Sequence, residues 1–227
     1  MTTVISLGGS VIAPEWADTH AIGRFTAVLR DYLRYDDAGR LVLVVGGGGP
    51  ARAYQQAFRE LVDEPGDDEQ DLIGIMATRL NAELVRAVLG DMCADPLVTD
   101  PGGQFSFTGR VLVGAGWKPG SSTDYIAVIL AERLNADRLI NISNIDKIYS
   151  ADPAKDPHAR PLDRMSWNEY RKLIGGDWVP GKNCPFDPVA SRRAAELGME
   201  VFFVGGRDMD NIRRVLEGKT FFGSRIG

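Results

Sequence analysis

Four consecutive glycines, Gly46, Gly47, Gly48 and Gly49, separate the apolar run 41–45 from Pro50 and Arg52. The run reads as a buried strand. Tyr54, Ala57, Phe58 and Leu61 at helical spacing read as one face of a helix opening at Pro50, whose missing N–H costs nothing at a first position. A strand that passes through glycines into a helix N-terminus offers bare backbone N–H groups to an anion. Arg52 adds a permanent charge with a bidentate fork for phosphate. A second turn of this kind, Gly8, Gly9 and Ser10, follows the strand candidate 3–7. Two glycine turns suggest two phosphate groups facing each other, as direct transfer between phosphorylated ligands requires, because its catalysis is mostly positioning and charge neutralisation. The plainer alternative stays open, namely glycines that only let helix and strand pack closely.

Other phosphate chemistries fit less well. Gly46, Gly48 and Ala51 satisfy G-x-G-x-x-A, a dinucleotide fingerprint, but that motif wants an acid closing the next strand, and the acids here lie between two helices. No Walker A sequence is present. Cys93 and Cys184, His20 and His158 have no ligand spacing, which argues against a protein-built zinc site. The remaining acids of interest are Asp71, which either reads a ligand or caps a helix, and Asp124 and Asp146. Asp124 suits Mg²⁺, which uses only one or two protein carboxylates, and equally suits the N-cap of a helix.

The elements that must position these residues alternate. Beyond the strands at 3–7 and 41–45, strands are expected at 96–99 (weakly), 111–116, 138–143, 199–206 and at the end of 219–226. Helices are expected from Asp18, with Ile22, Phe25, Leu29, Tyr32 and Leu33 as its face, and over 72–89, where Leu72, Ile75, Met76, Leu80, Leu84, Val88 and Leu89 make it amphipathic. Further helices follow 117–124, the capping box 166–169, Asp187 with Pro188 and stopping at Gly198, and 211–216. The acidic stretch 63–71 reads as a solvated loop, 144–161 as a long loop, and 177–186 as irregular. Strand–helix alternation predicts an α/β fold: three α/β/α layers around a mostly parallel sheet, in one domain over 1–227. Ligands bind at the carboxyl ends of such strands, where four small or polar loops converge.

A chain of 227 residues, 44% hydrophobic and 25% charged, has the composition of a soluble globular protein with a sizeable core. Its net charge of −5 and lack of basic runs argue against nucleic acid. No apolar stretch reaches membrane-spanning length and no signal peptide is seen, so a cytoplasmic location is expected.

The order of SLGGSVI (6–12), VVGGGGPARAY (44–54), DLIGIMATRLNA (71–82), PGSSTD (119–124), SNIDKIYSADPAKDP (143–157), PFDPVA (185–190) and GSRI (223–226) resembles the amino acid kinase superfamily, and within it the archaeal-type uridylate (UMP) kinases. The resemblance implies transfer of the ATP γ-phosphoryl group to UMP with Mg²⁺, giving UDP and ADP for pyrimidine biosynthesis. It puts the acceptor on the N-terminal part and ATP on the C-terminal part from about residue 138. Gly47 and the loop Trp117, Lys118, Pro119, Gly120, Ser121, Ser122 and Thr123 are then expected to hold UMP, with Asp71 on its ribose. Gly8, Gly9, Ser10, Gly48 and Arg52 are expected along the ATP phosphates. Ser143, Asn144, Asp146, Tyr149 and Asp152 line the adenosine site, with Tyr149 against the base unless it is an ordinary core aromatic. Ser10, Arg52, Lys118 and Asp124 carry the catalysis. The family also implies a homo-oligomer, a hexamer as a trimer of dimers, with the helix at 18–33 as a plausible dimer face.

Three departures stand out: Ser6 where many members carry lysine, Asp146-Lys147 where Asp-Gly is usual, and Trp117 where relatives have a small or hydroxyl residue. Lys118, favoured, or Lys147 is expected to restore the charge missing at Ser6. A second class of function stays open, a nucleotide-binding storage or sensor protein such as the molybdenum-storage subunits of the superfamily.

Overall fold

The computed structural model describes residues 1–151, 156–174 and 184–227. Its main sheet takes up the apolar runs as β1 (Thr2–Leu7), β2 (Arg40–Val45), β3 (Val111–Gly114), β4 (Arg138–Ser143) and β8 (Val201–Gly205). These five are mutually parallel. They are nearly all apolar because both sheet faces are covered. β9 (Ser224–Ile226) adds antiparallel to β8, and β7 (Arg164–Met165) parallel to β9, giving the order β3-β2-β1-β4-β8-β9-β7.

Alternate residues feed two cores. Ile5, Leu7, Leu41 and Leu43 pack under α2 (Thr19–Tyr35), α4 (Asp67–Leu89) and α8 (Met209–Leu216). Val4, Val42 and Leu139 pack under α5 (Thr123–Arg133), α6 (Trp167–Ile174) and α7 (Pro188–Glu196). Sheet between two helix layers is the expected architecture. Helix starts follow their caps: Asp18 accepts from the N–H groups of His20 and Ala21, Asp187 from that of Ala190, and Ser166 and Glu169 close the capping box reciprocally.

Several expectations need correction. The weak strand at 96–99 is a single bridge between Val98 and Gly114. The long loop 144–161 contains an antiparallel pair, β5 (Ile148–Tyr149) and β6 (Pro161–Leu162). Half of the acidic stretch is helical, since Asp67, Asp68 and Glu69 form the first turn of α4, where negative charge favours the helix dipole. The helix after the glycines, α3 (Gly48–Leu61), opens two residues before Pro50, still within the turn whose N–H groups lack helical partners. The apolar faces of α3 and α4 turn largely outward: Tyr54, Leu61, Leu72, Met76, Leu80, Leu84 and Val88 are exposed, while Ile75 and Leu89 are buried. The expected end of α6 near Gly175 and Gly176, and most of 177–186, fall outside the described residues.

Candidate functional site

The two glycine turns touch. They leave adjacent strands β1 and β2, and a Cβ on Gly9 would collide with the Gly48 nitrogen and lie 2.6 Å from the Gly46 carbonyl carbon. Gly48 has φ +63°, a conformation that favours glycine. Their backbones are tied to one another: the Gly46 N–H donates to Leu7 O (2.9 Å) and the Gly49 N–H to Ala13 O (2.8 Å). Close packing is therefore part of what these glycines do. A short helix, α1 (Gly9–Ile12), carries Ser10 to Arg52, whose guanidinium donates to Ser10 Oγ (3.2 Å) and Pro14 O (3.0 Å).

Below this contact lies Asp124, in the first turn of α5. Ser122 is the N-cap of that helix, accepting from the Tyr125 N–H at 3.1 Å, so Asp124 is free for another task. Its Oδ1 accepts from Ser6 Oγ (2.7 Å) and Asn141 Nδ2 (2.8 Å), which face each other on β1 and β4, and its Oδ2 accepts from the Asp187 N–H (3.1 Å). Tyr170, buried, holds the approach to Asp187 by bonding both the N–H and the carbonyl of Phe186 at 2.6 Å. Burial pushes the Asp124 carboxyl up to about 6, against the hydrogen bonds from Ser6, the Asp187 N–H and Asn141, and with the help of the neighbouring Asp187 carboxylate. Burial raises Asp187 as well. The Ser6 hydroxyl is thus already committed to Asp124.

α4 organises the loop after β3. Thr78 Oγ1 accepts from the Gly116 N–H (2.7 Å), Arg79 donates to Gly116 O and Trp117 O (both 3.2 Å), and Asp71 Oδ2 accepts from the Gly120 N–H (2.7 Å). One turn on, Asn81 Nδ2 donates to Gly46 O (2.9 Å) and Gly47 O (3.0 Å). The segment 78–81 thus fixes the 116–123 loop and the 46–49 turn together. Sequence reasoning singled out this motif without seeing what Thr78, Arg79 and Asn81 do. Trp117 packs beside the turn at Gly102, and the Lys118 ammonium rests on its indole, 4.0 Å from the ring centroid. Pro119, Ser121 and Thr123 complete the loop.

On the other side of β1, the Gly8 N–H donates to Ile142 O (2.9 Å) and the Gly206 N–H to Ser143 O (2.7 Å). Asp146 packs against Gly205 and lines a cavity of about 420 Å³ with Arg24, Arg207, Asp208 and Phe222. Asn144 is exposed beside Ser143, and Tyr149 is half-buried in the β5–β6 pair. Lys147 is buried, paired with Asp163 and lying over the Phe222 ring. It is committed to holding the hairpin and is not available to replace the lysine absent at Ser6. Asp152 lies outside the described residues. The loops after β3, β2, β1 and β4 all open at one end of the sheet, and three strand spacings of about 4.8 Å span about 14 Å, enough for phosphates approaching from two sides.

Residues 1–205 match the model of the amino acid kinase family. The chain is 38% identical to the uridylate kinase of Methanospirillum hungatei over 99% of its length and 94% of that protein. It is also 38% identical to the uridylate kinase of Methanothermobacter thermautotrophicus, over 96% of both chains. Its structure superposes on that of uridylate kinase from Archaeoglobus fulgidus with a TM-score of 0.83 at 31% identity, covering both chains fully. No helix among the described residues is long and apolar enough to cross a membrane.

Proposed function

The chain belongs to the amino acid kinase family, and from that premise we propose that it transfers the γ-phosphoryl group of ATP to UMP, giving UDP and ADP. The observation that carries this reading is the contact of the two glycine turns, flanked on one side by the loop after β3, which Asp71 and α4 hold, and on the other by Ser143 and Asp146. The N-terminal part takes the acceptor and the part from about 138 takes ATP. Gly47 and the 117–123 loop hold the UMP phosphate, and Gly8, Gly9, Ser10, Gly48 and Arg52 hold the ATP phosphates. Arg52 and Ser10 already form one unit, so the guanidinium keeps donors in hand for the transferred group. Lys118, exposed and steadied by Trp117, remains the mobile cation nearest the acceptor loop. Asp124 keeps β1, β4 and α7 in fixed relation beneath the reacting atoms.

Mg²⁺ fits the oxygens present. The Asp124 and Asp187 carboxylates are neighbours, and the buried Asn141 Oδ1 beside them has no partner among the described residues. Among those residues no group of three or more His, Cys, Asp or Glu could hold a metal alone, which suits an ion held by one or two carboxylates and by nucleotide phosphates. Such an ion neutralises phosphate charge. The catalytic unit works in the cytoplasm, in pyrimidine nucleotide biosynthesis.

A coupled assay of ADP formation with UMP, CMP and dUMP tests the reading. UMP is expected to give the highest kcat/KM, and absence of ADP formation with all three refutes it. The relatives named above are kinases, which leaves the storage or sensing alternative without support.

Asp71→Asn is expected to weaken UMP binding at least tenfold and ATP binding less than twofold. The carboxylate is lost both to the ribose and to the Gly120 N–H. Calorimetric titration with each nucleotide separately decides it, and equal losses for both ligands refute the assignment.

A homo-oligomer is the expected state, with the outer face of α3 and α4 as its contact. The apolar face of α2 is spent inside the chain, with Phe25 and Leu29 buried, whereas Leu80 is 71% exposed, Leu61 84% and Met76 61%. Large apolar side chains exposed together on adjoining helices are the kind of surface a partner covers. Met76→Glu with Leu80→Glu is expected to lower the mass measured by light scattering. An unchanged mass places the contact elsewhere.

A further inference from the structure

We infer that Arg79 is a positioning residue for the acceptor loop, setting the orientation of the peptide planes that receive the nucleoside monophosphate. The inference rests on the proposed UMP kinase reading. Arg79 projects from the middle of α4, half-buried, and sends Nε to Gly116 O and Nη2 to Trp117 O, each at 3.2 Å. Both acceptors are consecutive carbonyls at the root of the loop. Because each trans peptide unit is planar, with its N–H opposed to its C=O, holding these two oxygens against α4 turns the N–H groups of Trp117 and Lys118 the other way.

The neighbouring constraints share that purpose. Thr78 takes the Gly116 N–H, the one amide before the clamped pair, and Asp71 takes the Gly120 N–H beyond it. The loop is therefore fixed at three points from one helix, with the N–H groups of Trp117 and Lys118 turned away from it.

The choice of arginine has an electrostatic side. Among the described residues Arg79 has no carboxylate partner, so its charge is shared only with two neutral carbonyls and is not cancelled. Bonds from a charged donor to a carbonyl also polarise that peptide, which strengthens the opposite N–H as a donor to an anion. Arg79 thus adds positive potential at the root of the loop. A lysine in its place could satisfy one carbonyl but not grip two with a planar fork.

The test compares Arg79→Leu and Arg79→Lys with the parent. KM for UMP and for ATP, kcat, and amide hydrogen exchange over 116–121 in nucleotide-free protein are measured. Arg79→Leu is expected to raise KM for UMP at least tenfold, with KM for ATP within twofold, and to speed exchange in the loop at least tenfold. Arg79→Lys is expected to recover part of the UMP affinity. Equal changes in both KM values, or loop exchange unchanged in Arg79→Leu, overturn the inference. If Arg79→Leu does not fold, an Arg79→Lys protein with parental loop exchange and parental KM for UMP overturns it equally. Should the parent itself fail to phosphorylate UMP, the functional reading falls, while the exchange measurement still decides whether Arg79 orders the loop.

Discussion

Gly9→Ala is expected to damage both stability and turnover severely. The new carbon would meet the Gly48 nitrogen, the Gly46 carbonyl carbon at 2.6 Å and its oxygen at 2.7 Å. All three are backbone atoms that cannot rotate aside, so β1 and β2 must part at their carboxyl ends. Overpacking of this kind costs about 3 kcal/mol of stability. A displacement of about 1 Å between the two phosphate turns lowers turnover on the order of a hundredfold. Gly23→Ala is the internal control, because Gly23 lies on the exposed side of α2 with nothing within 4 Å of the added carbon. That change is expected to stabilise by roughly 0.5–1 kcal/mol, as alanine does over glycine within a helix. Denaturant unfolding and kcat at saturating UMP, ATP and Mg²⁺ measure both. A Gly9→Ala protein within 1 kcal/mol of the parent and with normal turnover would show that the turns are not locked against each other.

Much of this arrangement is legible from residues alone, and what is not legible has specific physical causes. The strands could be read because a run such as 41–45 is apolar at every position, as a strand buried on both faces is. Four loops at the carboxyl ends then follow from the alternation of strands and helices. The outward turn of Leu72, Met76, Leu80 and Leu84 could not be read, because periodicity shows that a helix has an apolar face and says nothing about what covers it. Asp124 and Ser122 lie two residues apart, and both residue types cap helices. Only the position of Ser6 and Asn141 on the strands beneath decides which one is left over. The tasks of Arg79 and Asn81 are bonds to carbonyls 34 to 38 residues away. No local pattern encodes a partner that distant. The pairing of Lys147 is equally illegible, because Asp163 meets it across the β5–β6 hairpin and Phe222 comes from the far end of the chain.

Replacing Asp124 by alanine is expected to cut turnover by at least about a hundredfold, close to 3 kcal/mol. The carboxylate accepts three hydrogen bonds from three elements, and hydrogen bonds to charged groups contribute about 1.5–3 kcal/mol each. Without it Ser6, Asn141 and the start of α7 lose their common anchor. The same residue gives a signature in pH. An ordinary aspartate titrates near 4, whereas burial raises Asp124 to about 6 in the folded chain, so the folded state binds the proton more tightly than the unfolded one. Stability from this group is then fully present below about pH 4 and is lost as pH rises through about 6. An Asp124→Asn protein lacks that loss. In the absence of nucleotide and metal, its Tm relative to the parent is expected to climb between pH 4 and 7 and then level off. A Tm difference independent of pH would mean that the carboxyl titrates normally.

The register of β1 has a consequence during synthesis. Thr3 pairs with Leu41 on one side and with Arg138 on the other, so the strand at the middle of the sheet has one neighbour 38 residues away and another 135 residues away. At about 5–20 residues per second, a ribosome needs on the order of ten seconds to deliver the second neighbour after the first strand has emerged. Until β3 emerges, β1 and β2 form at most a two-stranded parallel ribbon, a poor stand-alone structure, and until β4 emerges β1 keeps an open apolar edge. Over that time residues 2–45 are expected to be open to pairing with another copy. Synonymous codons that slow translation between 45 and 138 lengthen that exposure, and the aggregated fraction in the cell is expected to rise with them even though the finished protein is unchanged.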